Sequence, residues 1–315
     1  MFSGSCQCRQ THPPPTDRDS AADNHASPGT LPMLTHALPD LPAWTRWFSD
    51  APIPVLAATA EELELLERVE ATRGDVDAHQ LAEPVRQDPL MSLKLLAAVA
   101  QLRRRRDGGD NSGPETVTAA LVMMGIGPFF NTFNGMAQIE VHLASQPEAL
   151  AGLQRVMRRA HRAANFSLGF AVHRMDDDAE VLHLAALLHD FAEMLLWCHA
   201  PALALEIARR QRADPTLRSD HAQRQLLNID LLALQQALMH TWALPELLVR
   251  IADDNSQAAQ PQVQNVVLAI RLARHTEDPV RGWDNPAVPD DLAAIARLLN
   301  LSLPATEALV RAIDG

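Results

Sequence analysis

Three residues could hold a divalent metal ion. His189 and Asp190 are adjacent inside the apolar run 183-HLAALLHDFAEMLLW-197, and His161 lies 28 residues earlier. Imidazole and carboxylate are the donors that such an ion takes. A metal phosphohydrolase built in a helical bundle needs several such donors from different helices, with one position left open for a water of lowered pKa. A second set could bind a phosphate or a nucleotide. Arg158, His161, Arg162 and Asn165 fall at i, i+3, i+4 and i+7, so a helix would present them on one face.

The elements that must carry these residues read as helices. Asp88-Pro89 is a start signal, Asp as N-cap and Pro at the first helical position, and Leu90, Leu93, Leu96 and Val99 follow as one apolar stripe. Thr59 with Glu62 resembles a capping box, Asp75 or Asp77 can cap a helix over about 78–87, and Thr116 or Thr118 can open one that stops at Gly125. The run 103-RRRRDGGDNSGP-114 reads as a solvated helix end and flexible loop. A long helix over about 148–174 carries Arg155, Arg158, Arg159, Arg162 and His161. The run 176–196 starts with acids and is apolar nearly all round, which predicts one central buried helix. Helices over about 200–212, 219–241, 245–254, 265–275, 289–300 and 303–313 complete the pattern. No alternating strand pattern of convincing length occurs, so the expected fold class is all-α. Residues 1–35 are polar and Pro-rich and predict a disordered tail. Trp44, Trp47 and Phe48 should anchor the first helix on the body.

The stretches 53-IPVLAATAEELELL-66, 81-LAEPVRQDPLMSLKLLAAVA-100, 117-VTAALVMMGIGPFF-130, 157-MRRAHRAA-164, 185-AALLHDFAEMLL-196 and 242-WALPELL-248 together resemble the HDOD family, signalling relatives of the HD-domain metal phosphohydrolases. The resemblance implies an N-terminal helical lobe packed on an HD-like bundle, a domain over 47–255 and a C-terminal helical extension over 256–315. It also identifies His161, His189 and Asp190 with the first histidine and the His-Asp pair of the HD pattern. The later positions depart from it. Neither 229-IDLLALQQAL-238 nor 251-IADDNSQ-257 contains a histidine, and His240 comes too late for the first of them. Where the pattern closes with an aspartate, this chain has Ile270 or, one turn on, Arg274.

Composition narrows the function classes. The net charge of -12 argues against a general nucleic-acid binder, which needs surplus Lys and Arg to neutralise phosphates. Lys94 is the only lysine. The three cysteines, Cys6, Cys8 and Cys198, form no disulfide framework, which points to a reducing compartment. No stretch reads as a membrane span or a signal peptide. The expectation is a cytoplasmic bacterial signalling module that binds a protein partner in trans, with His161, His189 and Asp190 as a vestigial metal site. Arg158, His161 and Arg162 are the candidate ligand contacts, and no cofactor is expected. The alternative is a phosphohydrolase for a nucleotide or phosphomonoester, using Fe, Mn or Zn.

Overall fold

The computed structural model describes residues 1, 31–107, 113–252, 260–278 and 280–315. Among them the chain is all helical, apart from one isolated bridge between Val55 and Gln138. The first helices are α1 (Leu41–Asp50), α2 (Ala57–Arg73), α3 (Ala78–Arg86), α4 (Pro89–Asp107), α5 (Val117–Met124), α6 (Ile126–Thr132) and α7 (Ile139–His142). Next come α8 (Pro147–Arg174), α9 (Ala179–Leu188), α10 (Phe191–His199), α11 (Pro201–Ala213), α12 (Ser219–Leu227) and α13 (Leu231–Thr241). The chain ends with α14 (Glu246–Ile251), α15 (Pro261–His275), α16 (Val288–Leu299) and α17 (Leu303–Asp314).

Helix α8 is the axis of the bundle. Its 28 residues extend about 42 Å at 1.5 Å per residue. Leu153, Val156, Ala160, Ala163 and Ala164 recur three or four apart and bury one stripe of it. Helices α9, α10 and α15 pack along that stripe, and α16 and α17 close over its far end. Helices α2 to α6 form the N-terminal lobe, joined to the bundle where α4 meets α9 and α10. One continuous apolar core runs from Trp44 to Val310. The segment expected as a C-terminal extension is therefore part of it: Val266, Ala269, Leu272 and Ala273 of α15 are fully buried.

Several start signals act as read. Asp77 accepts from the His79 and Gln80 amides in a capping box, and Thr116 accepts from Ala119. Asp88 accepts from the Leu90 and Met91 amides and, from across the lobe, the Leu56 amide at 2.7 Å. This last contact corrects the expectation at Thr59. Helix α2 begins two residues earlier with no side-chain cap of its own. Its first amides are served by Asp88 and by Glu140, so Thr59 is free to turn inward, where it is buried.

Three further expectations are corrected. The stretch 219–241 is two helices, because Asn228 adopts a left-handed conformation (φ 64°) and Asp230 caps a new start at Ala233. The stretch 176–196 is also two helices, α9 and α10, with His189 and Asp190 at the break. The run Ala179–His199 is long and apolar enough to cross a membrane, but 83% of it is buried within the fold. At the end of the expected tail, Leu31 to Leu34 pack on the body. The Leu31 amide donates to His142 Nδ1 (3.3 Å), the Leu34 amide to the His199 carbonyl (2.6 Å), and Leu31 is 8% exposed. Residues 2–30 lie outside the described residues, as does the 108–112 part of the expected loop.

Gly152 sets how closely α8 approaches α10. A Cβ at this position would lie 2.5 Å from the buried Trp197 ring. Helix propensity alone would favour Gly152→Ala by about 1 kcal/mol. We expect the clash to reverse the sign, with a net loss of about 1–3 kcal/mol in chemical denaturation. A stabilised Gly152→Ala protein would contradict this packing.

Candidate functional site

The break between α9 and α10 is what brings Asp190 to its neighbours. Asp favours helix ends over interiors, and Asp190 occupies the N-cap of α10 without using its side chain to cap. The carboxylate instead faces α8 and the end of α15. Arg159 donates from Nε and Nη2 to Oδ2 at 3.0 and 2.8 Å, and Arg274 donates from Nη2 to Oδ1 at 2.6 Å. His189 Nδ1 lies 3.1 Å from Oδ1. Arg159 is itself shared: Nη2 reaches Glu193 Oε2 at 2.7 Å and Nη1 reaches Glu277 Oε2 at 3.1 Å. Glu193 follows Asp190 by three positions on α10, so both acids face the same way.

The centre of the network is buried, with Arg274 reaching it from an exposed position. The side chains of Arg159 and Asp190 are 11% and 9% exposed. Burial works to raise the Asp190 pKa, but Arg274, Arg159 and His189 hold the carboxyl well below the usual carboxylate range. Burial likewise opposes the charge on Arg159, and Glu193, Asp190 and Glu277 outweigh it, so the guanidinium stays protonated. Charges this buried persist only when paired and hydrogen-bonded.

The other expected site residues lie elsewhere. His161 hydrogen-bonds the Gln87 backbone, and burial lowers its pKa. His183, beside it, is pushed down to about 4 by burial and by His161 and Arg86. Arg162 is held by Asp314 (2.8 and 2.9 Å), Thr276 (2.8 Å) and the Ala273 carbonyl (3.3 Å). Arg158 is exposed. The shared face of Arg158, His161 and Arg162 therefore does not converge on one ligand. Arg159, one position on and about 100° around the helix, is the arginine that reaches the His-Asp pair.

The donors present do not fit a divalent ion. Among the described residues no three His, Cys, Asp or Glu side chains are grouped to hold one. Arg274, one of the two residues that stand where the HD pattern closes with an aspartate, aims a positive group at Asp190, which two guanidinium groups already neutralise. A third cation there would meet their repulsion. Beside the network is a cleft of about 730 Å³. Arg155, Arg159, His189, Asp190, Glu193 and Arg274 line one side, and α11 to α13 form the other.

The same architecture occurs in solved structures. The response regulator MmoQ from Methylococcus capsulatus str. Bath superposes with a TM-score of 0.57 at 17% identity, covering 82% of this chain and 98% of that one. A virulence factor from Campylobacter jejuni subsp. jejuni gives 0.57 at 16% identity, over 86% and 97%. No match is found among curated proteins. The fold is thus a known all-helical architecture. The HDOD domain matches residues 53–258, so the chain belongs to the HDOD family.

The sharing of Arg159 predicts an asymmetry. Asp190→Ala leaves Arg159 with Glu193 and Glu277 as partners and should cost about 1–3 kcal/mol. Arg159→Met removes a hydrogen-bonded cation from Asp190, Glu193 and Glu277 at once and, although Arg274 still faces Asp190, should cost more, about 3–5 kcal/mol. Denaturant titrations would measure both, and an Asp190→Ala variant less stable than Arg159→Met would contradict the network.

Proposed function

We propose that this HDOD chain is a non-catalytic regulatory module of bacterial signal transduction that works in the cytoplasm by binding a protein partner in trans. The observation that supports this reading is the contact of Arg274 with Asp190, since it puts a guanidinium where metal chemistry needs a carboxylate. Family membership is consistent with a signalling role, and the similar MmoQ protein is described as a response regulator. A frame stabilised by its own arginines keeps the bundle folded without an ion and leaves the helical surface to recognise the partner.

The test compares the protein with and without metal. Neither EDTA nor added Mn²⁺ should move the wild-type melting point by more than about 1 °C, because an ion that does not bind the folded state cannot stabilise it. Phosphomonoesters and nucleotides should not be hydrolysed in the presence of Mn²⁺. Near-stoichiometric Fe, Mn or Zn in protein purified without chelator, lost in His189→Ala, would overturn the proposal in favour of a metal-dependent phosphohydrolase.

A further inference from the structure

Two residues that line the cleft beside Asp190 each carry a buried polar atom without a hydrogen bond, one a donor and the other an acceptor. Gln235 of α13 is 2% exposed, and its Nε2 has no hydrogen-bond partner. Glu277, just after α15, gives Oε2 to Arg159, but its buried Oε1 has no hydrogen bond. The Arg155 Nε lies 3.6 Å away, an ion pair beyond hydrogen-bonding distance. Both residues line the cleft. Buried polar groups are nearly always partnered, and these two call for a ligand with an acceptor at one end and a donor at the other.

Charge narrows the class. Three arginines and five carboxylates line the cleft, a surplus of negative charge that disfavours polyanions such as nucleotides. The wall also carries Ala204, Ile207, Ala208 and Leu231, apolar surface suited to a short side chain. We propose that the cleft binds a small zwitterion of the α-amino-acid type. Its carboxylate accepts from Gln235 Nε2, its ammonium donates to Glu277 Oε1, and its side chain packs on α11 and α13. The proposal rests on the metal-free reading of Asp190, because a metal centre there would change the charge of the whole cleft.

The test is a thermal-shift screen of the full chain against each protein amino acid at about 10 mM, since a ligand of the folded state raises the melting point once its concentration exceeds Kd. At least one should raise it by about 3 °C or more. Gln235→Leu, which removes an unpartnered donor, should keep the ligand-free melting point and lose the shift. Gln235→Glu, which puts an acceptor in place of the donor at the same size, should also lose it and serves if the Leu variant does not fold. The proposal fails if no amino acid shifts the wild type or if the shift survives in the folded variants. It also fails if the matching carboxylic acid without the amine does as well. EDTA wells on the same plates separate the two readings. An EDTA-sensitive melting point without a shift breaks both, and an insensitive one without a shift breaks this one alone.

Discussion

A carboxylate buried at the centre of a helical bundle must be neutralised, and in this chain arginine does it. Asp190 sits where α9 gives way to α10, contacted on one side by Arg159 of α8 and on the other by Arg274 of α15. Those contacts tie together the helices that dominate the bundle's packing. Asp190 also stands at the break between α9 and α10, as the N-cap residue of the second helix. The charge of the His-Asp pair is thus balanced from within the bundle.

Arg159 shows why the frame resists dismantling. It serves Asp190, Glu193 and Glu277 at once, so no single carboxylate is essential to it, while Asp190 also keeps Arg274 and Glu277 keeps Arg155 as a charged neighbour. Such networks exceed the sum of their pairs when fully satisfied and are costly when half satisfied. Here the only buried atom of the network without a hydrogen bond, among the described residues, is Glu277 Oε1, and Glu277 lines the cleft.

Much of this was legible in the sequence, for physical reasons that differ by element. The long helix α8 and the starts at Asp77, Asp88 and Thr116 follow from local signals, periodicity and short-range capping. The His-Asp pair and the missing closing acid were visible too, and Arg274 was one of two residues that could take its place. What escaped depends on contacts distant along the chain. The break at Asp190 has no Gly or Pro to mark it, and the apolar run around it reads as one helix. The start of α2 is set by carboxylates 32 and 83 residues away. Arg159 looked like any member of a basic face, because the acids that bury it come from α10 and from beyond α15. Leu31 reads as part of a polar tail, although one apolar residue and two backbone amides suffice to pin that end.

The central claim, that guanidinium groups rather than a metal ion hold the Asp190 charge, has a direct reading in the ionisation of that carboxyl. Its side-chain ¹³C resonance, followed by NMR against pH with EDTA present, should stay ionised well below the ordinary aspartate midpoint of about 4. Because the folded pKa is depressed, the stability it contributes is full above that ordinary value and is lost as pH falls through the folded one. Arg274→Gln should raise the midpoint. An ordinary midpoint in the wild type, or one that EDTA alone brings up to the ordinary value, would contradict the account.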